Sequence, residues 1–186
     1  MDYFVLDLET ANPSYKSICQ LGMVEIRKGA IKKRYRQLID PKDNFDPIHT
    51  SIHGITEKLV KSSPSFNQIH KALETMLTNE IVVHHGPFDR VAIERACASY
   101  GLPAIRARWL NNQKVVRRTW EQFRRSGYAL DNLCQHFNIS FNHHDALEDA
   151  TATARIFSLA IEETGLSPEE WIERVKYPID WDECDY

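Results

Sequence analysis

Apolar positions along this chain fall into two periodic regimes, one for strands and one for helices. Runs rich in β-branched and aromatic residues predict strands over 3–8, 19–27 and 31–39, with Lys28-Gly29-Ala30 joining the last two as a hairpin. A Pro/Asp-rich loop is expected over 40–50. Ser65-Phe66-Asn67-Gln68 is a capping-box signature, and Phe66, Ile69, Leu73 and Leu77 share one face of a helix ending near 77. A strand over 80–84, a helix over 89–100, a strand over 104–109 and helices near 114–125 and 130–137 follow. Leu147, Ala150, Ala154, Phe157 and Ile161 keep helical spacing through an alanine-rich stretch, predicting a long helix over 145–163. Ser167-Pro168-Glu169-Glu170 starts a last helix whose Trp171 and Val175 are spaced to dock on the domain. Pro178 stops it, and 179–186 is expected to be a poorly ordered acidic tail. Three early strands followed by alternating helices and strands predict an α/β fold, a mixed sheet with helices on its faces. Residues 1–163 are expected to form one domain, with the 164–186 helix and tail packed on it.

Composition narrows the class. At 186 residues, 42% hydrophobic and 26% charged, the chain suits one domain with a real core. No apolar run approaches the ~18 residues of a membrane span. The chain starts directly on a strand pattern, so no signal peptide is expected. Cys19, Cys97, Cys134 and Cys184 lack metal-ligand spacing, and Cys97 and Cys134 fall on apolar helical faces. A reduced, cytoplasmic protein is the expectation.

A net charge of −3 excludes a generally basic nucleic-acid binder, so the distribution of charge matters more. Arg106, Arg108, Lys114, Arg117, Arg118, Arg124 and Arg125 are interleaved with Trp109, Trp120 and Phe123. Such a stretch can track phosphates and stack bases. An amphipathic helix with Val116, Trp120 and Phe123 inward and solvated arginines fits the aromatics better, and leaves the arginines as candidate phosphate contacts. Lys32-Lys33-Arg34 with Arg36 reads as the solvated side of a strand.

The candidate chemistry begins at Val5-Leu6-Asp7-Leu8-Glu9-Thr10. Residues i and i+2 of a strand share a face, so Asp7 and Glu9 stand side by side at the strand's end. At ~5 Å and an effective dielectric of ~20 they repel by roughly 3 kcal/mol. A bound cation removes that cost; a strand running out into solvent also fits. Asp89 follows the strand-end run His84-His85-Gly86-Pro87-Phe88, where α/β proteins often place functional groups, although a simple helix cap fits too. Asp149 follows His144 by five residues, ~140° of helix rotation. The two converge only if His144 precedes the helix and Asp149 lies a turn in, facing the sheet. Asp145 and Glu148 fit an exposed acidic first turn favoured by the helix dipole.

Taken in order, Asp7-x-Glu9-Thr10, Phe88-Asp89 and His144-x-Ala146-x-x-Asp149 resemble the motifs of DnaQ-like 3′–5′ exonucleases of the DEDDh type. Ser51-Ile52-His53-Gly54-Ile55-Thr56 looks like a segment of the polymerase III epsilon-type members, and Ser17–Gly22 sits where they have a similar run. The resemblance covers about 1–162. It implies a ribonuclease H-like mixed sheet: three antiparallel strands, then parallel ones, flanked by helices. It also implies two divalent ions, Mg²⁺ or Mn²⁺, whose hardness suits carboxylates. By the same resemblance Asp7 bridges both ions, Glu9 and Asp149 complete the first, Asp89 holds the second, and His144 is the general base. Thr10 and Ala11 are placed near the 3′ nucleotide, with His53 and Ile55 wedged against its base; a buried structural role for Ile55 fits at least as well. His85 stands where the family often has Asn, and is read as a substrate-side hydrogen-bonding residue, not a metal ligand.

The implied activity is hydrolysis of single-stranded or frayed DNA 3′ ends to nucleoside 5′-monophosphates. An exoribonuclease of RNase T or oligoribonuclease type is the alternative. A non-catalytic nucleic-acid-binding module is opposed by the full set of four acids plus His144. The family's frequent Asp-Thr pair is replaced here by Trp109-Leu110-Asn111-Asn112-Gln113-Lys114, which leaves substrate preference open. No polymerase- or clamp-binding tail is recognisable, favouring a free-standing enzyme. Zinc at His84-His85 or His143-His144 is disfavoured, because neighbours in a strand diverge.

Overall fold

The computed structural model describes residues 1–140 and 142–179. Its five strands are β1 (Tyr3–Thr10), β2 (Ile18–Arg27), β3 (Ala30–Leu38), β4 (Ile81–His84) and β5 (Arg108–Asn111). They form one sheet in the order β3-β2-β1-β4-β5. The first three pair antiparallel, and β4 and β5 add parallel to β1. The helices are α1 (Pro47–His53), α2 (Glu57–Val60), α3 (Phe66–Leu77), α4 (Phe88–Ser99), α5 (Asn112–Thr119), α6 (Leu130–His136), α7 (Ala146–Thr164) and α8 (Pro168–Arg174). This is the expected mixed sheet flanked by helices.

Strand alternation assigns the two faces. Phe4, Leu6, Leu8, Met23 and Val82 pack with Phe66, Leu73, Ile93 and Ala96 of α3 and α4. Tyr3, Val5, Val24 and Val83 pack with Ala150, Ala154, Phe157 and Trp171 of α7 and α8. A central strand covered on both sides must be apolar on both sides, and β1 is so until Asp7. The hairpin turns on Lys28 (φ 54°) and Gly29 (φ 79°), with Arg27 opposite Ala30. Two successive left-handed residues match the twist of the flanking strands.

Four local expectations differ from the structure. The 40–50 loop gives way at 47 to α1, where Asp46 caps the Ile48 and His49 N–H groups and Pro47 takes the first turn. β1 runs to Thr10, so Glu9 lies within the strand and not past it. The strand expected over 104–109 is β5, 108–111. Ahead of it the Arg106 carbonyl accepts from Asn79 N–H, and ladder pairing starts only at Ile81 opposite Arg108. The helix expected over 114–125 breaks at Trp120, which is extended and packs its ring against Phe123 and Phe137. A single 3₁₀ turn, Glu121–Phe123, follows. The aromatics of this stretch therefore serve the core. Arg117 donates to the Arg124 carbonyl and lies over the Tyr128 ring, and Arg118 donates to the carbonyls of Lys114 and Tyr177.

Trp171 is buried among Tyr3 and Phe157. The acidic tail lies, from residue 180 on, outside the described residues. No helix among the described residues is long and apolar enough to cross a membrane.

Gly22 faces the start of α7 with no room to spare: a Cβ there would overlap the Ala146 carbonyl and the Leu147 nitrogen. Because the obstacle is backbone, Gly22→Ala should destabilise the protein by about 3 kcal/mol, at the upper end of ordinary overpacking. Thermal unfolding of the variant checks this.

Candidate active site

Asp7 and Glu9 follow Val5 at two-residue steps, so they emerge on the α7 side of β1. Between β1 and β4 the paired register covers only Phe4–Val82 and Val5–Val83. Beyond it the Leu8 N–H is free to donate to Asp89 Oδ1, at 3.0 Å. Asp89 lies in the first turn of α4 and is 2% exposed, so this bond ties the helix start to β1 between Asp7 and Glu9.

Asp149 comes from the first turn of α7, which is positioned by three contacts from the hairpin. The Ala146 N–H donates to Gln20 Oε1 at 3.0 Å. The bare Gly22 backbone lets the helix approach β2. Arg36 of β3 pairs at 2.7 Å with Asp145, whose carboxylate caps the Leu147 and Glu148 N–H groups. His144 precedes the helix in a left-handed conformation, φ 67°, and its N–H donates to Asp149 Oδ2 at 3.1 Å. The same conformation stacks the His143 and His144 rings, 3.9 Å apart and 12° from parallel. The divergence expected of adjacent histidines does not occur, because this pair lies in a turn and not in a strand.

One oxygen each of Asp7, Glu9 and Asp149 lies within 4.8 Å of the other two, and a His143–His144–Asp149 set meets the same limit. Asp149 Oδ1 is buried with no hydrogen-bond partner. Burial, followed by the charges of Asp89, Asp149, Glu9 and Asp145, holds the Asp7 carboxyl well above the usual carboxylate range. Burial and the Asp149, Asp89 and Asp145 charges push Glu9 up to about 8. Burial raises Asp89 to about 7, against the Leu8 hydrogen bond, and raises Asp149 to about 7, against the His144 hydrogen bond. An orphaned buried oxygen among mutually repelling carboxylates fits hard divalent cations. His144 sits at the rim; burial and the neighbouring His143 and His53 hold its imidazole below its usual value, so it is neutral at pH 7.

The exonuclease family described as RNase T matches residues 4–157. This chain belongs to that family. It is an exonuclease of the DnaQ-like DEDDh type, a class that uses divalent metals. Among curated relatives it is 27% identical over 197 residues to the PolC-type DNA polymerase III of Thermotoga petrophila, covering 96% of this chain and 13% of the polymerase. It is 30% identical over 156 residues to that of Listeria innocua, covering 82% and 11%. The chain thus spans a small fraction of these relatives. Exonuclease X, solved with 5′-overhanging duplex DNA, superposes with a TM-score of 0.73 at 22% identity over 93% of this chain and 99% of that one. The nuclease domain of 3′hExo, a DEDDh member bound to rAMP, gives 0.72 at 18% identity, covering 88% and 92%.

The remaining anticipated residues of this exonuclease occupy two places. Thr10 and Ala11 are buried just past Glu9. His53 Nδ1 accepts from Ile55 N–H at 3.0 Å, so its Nε2 carries the proton and donates to the Thr10 carbonyl at 3.1 Å. Ile55 is buried with Ala11, Cys19 and Val60. His85 is held elsewhere: Nδ1 accepts from Asn112, and Nε2 donates to the Tyr128 carbonyl at 2.9 Å. Asn111 and Asn112, in the segment that departs from the family's Asp-Thr pair, are structural: Asn111 caps α5 and accepts from Gly86 N–H. Gln20, Gly22 and Arg36 escaped sequence reasoning as positioning residues. The Ser17–Gly22 run was the only signal, because partners over a hundred residues away leave no local pattern.

These acids retain protons in the folded chain that an unfolded chain releases near pH 4. Folded protein therefore binds more protons between about pH 4 and 8, and stability falls as pH rises through that window. In EDTA the melting temperature should fall from pH 5 to pH 8, and Mn²⁺ should reverse the fall. Asp7→Asn should raise metal-free stability at pH 8 by about 1 kcal/mol, roughly 2–4 °C. Calorimetry across this pH range measures both.

Proposed function

We propose that this chain is a metal-dependent 3′–5′ exonuclease that shortens single-stranded or frayed DNA 3′ ends, releasing nucleoside 5′-monophosphates. The observation that carries the reading is the meeting of Asp7, Glu9 and Asp149 within 4.8 Å, with His144 beside Asp149. Asp7, Glu9 and Asp149 would hold one divalent ion, and Asp7 with Asp89 a second, as Mg²⁺ or Mn²⁺. Such a pair supplies Lewis acidity that neutralises the scissile phosphate and the leaving oxygen.

The chain's own residues do the rest. The carboxylates release their retained protons as the site loads, so metal affinity increases with pH. The neutral His144 imidazole takes the proton of the attacking water. The Asp89–Leu8 bond fixes the α4 carboxylate against β1. Thr10, Ala11 and His53, backed by Ile55, border the 3′ nucleotide. His53 offers its ring surface there, since both its nitrogens are engaged. His85 acts on the substrate side by holding the Tyr128 loop. DNA is favoured by the polymerase relatives and by the epsilon-like Ser51–Thr56 segment. The buried free cysteines Cys19, Cys97 and Cys134 suit a reducing cytoplasm.

Incubation with 5′-labelled DNA and RNA oligomers in Mg²⁺, Mn²⁺ or EDTA should give stepwise shortening from the 3′ end, faster on DNA and absent in EDTA. Faster RNA shortening would transfer the enzyme to the exoribonuclease class. Asp7→Ala should lower turnover by about 10³-fold or more while the protein stays folded, and residual wild-type rates would remove the metal assignment. His144→Ala should lower kcat by about 10²–10⁴-fold with little change in KM; equal losses in binding and rate would end its proton-transfer role.

A further inference from the structure

β4 carries a second polar centre on the sheet face opposite Asp7. Val82 packs toward α3 and α4, so His84, two residues on, faces the same way. His84 is 2% exposed, and its ring stands edge-on to Trp109 at 5.7 Å. Its Nδ1 is buried with no hydrogen-bond partner. A cavity of about 290 Å³ opens beside it, lined also by Arg90, Trp109, Asn111 and Lys114. Arg90 is shared with Glu94, which pairs with it at 2.8 Å and also lines the cavity; Lys114 is exposed. Burial, with the nearby Arg90, His85 and Lys114 charges, takes the imidazole down to about 4. At neutral pH the ring is uncharged, and Nδ1 donates or accepts according to the tautomer.

An unmet buried ring nitrogen asks for a hydrogen-bonding partner, and a hydroxyl serves it in either tautomer. Lys114, beside an Arg90 whose charge is shared with Glu94, leaves the cavity a net positive charge that asks for a phosphate. A partly exposed indole offers a surface for a planar ring. We propose that this cavity binds a nucleoside monophosphate, at a site sharing no residue with the Asp7–Glu9–Asp149 cluster. Its volume lies near the small end of ordinary ligand sites, roughly 300 Å³ and upward, the size class of a single nucleotide. Inorganic phosphate lacks the ring, and a free nucleoside lacks the charge; the nucleotide alone among the three combines all the features.

The test is a titration of the full chain with dAMP in EDTA, so that neither turnover nor metal loading enters. It is followed by the nuclear magnetic resonance signal of the Trp109 indole N–H, assigned with Trp109→Phe. The signal should shift saturably with dAMP. Adenosine and inorganic phosphate should each bind about tenfold more weakly or worse, as should dAMP to Lys114→Glu, equivalent to losing one charge-assisted contact. Asp7→Ala should leave the dAMP titration unchanged. An indole signal that does not move, or phosphate binding as tightly as dAMP, would overturn the assignment. So would a Lys114→Glu variant that is folded by circular dichroism and binds as wild type. Because no hydrolysis is measured, these outcomes are independent of the exonuclease mechanism.

Discussion

Repulsion among Asp7, Glu9, Asp89 and Asp149, sharpened by their removal from water, is the constraint around which this fold is arranged. Three separate elements deliver these acids, and each is tied down by bonds that do not depend on a cation. Leu8 N–H holds Asp89, His144 N–H holds Asp149, and β1 fixes Asp7 and Glu9 by strand geometry. The scaffold therefore holds the acids together although, without cations, they would separate. Proton retention is the consequence: the carboxylates keep protons to about pH 7 or 8 because losing them would leave buried, uncompensated charge. A divalent cation held among them would relieve the same cost, so the strain of the metal-free site would become affinity for metal.

The N-terminal hairpin does more than complete the sheet. Gln20 receives the first N–H of α7, Gly22 lets the helix come close, and Arg36 holds its capping Asp145. In register, Asp7, Gly22 and Arg36 lie in one row across β1, β2 and β3. That row sets the distance between the strand acids and the helix acid. Histidines serve as struts in the same way: His53 and His85 use both ring nitrogens to join loops to strand ends. Both rings are thereby held in fixed neutral tautomers, whereas the His144 ring lies at the rim. His84 differs from both because one of its nitrogens is unmet.

Much of the fold was legible because its signals are local. The two-residue period of the early strands, the capping box at Ser65 and the alanine-rich spacing of α7 each reflect a short-range rule. Errors fell where a distant contact overrides local preference. Trp120 breaks a helix-favouring stretch to reach Phe137, and β5 starts where β4 offers a partner rather than where β-forming residues begin. The start of α1 was missed although Asp46-Pro47 is a proper cap, because a Pro/Asp-rich surrounding reads as loop.

The sequence by itself determined the chemical inventory: two acids on one strand face, an acid at a helix start, and a histidine and acid spaced to flank a helix boundary. Those follow from the strand and helix periods, which any reader of the chain can apply. Only the tertiary structure decided that the acids converge, that His143 and His144 stack, and that His85 stands with Tyr128 and Asn112. Convergence depends on backbone approach between Gly22 and Ala146 and on a left-handed residue at His144, and neither is visible until elements far apart in the chain are packed together.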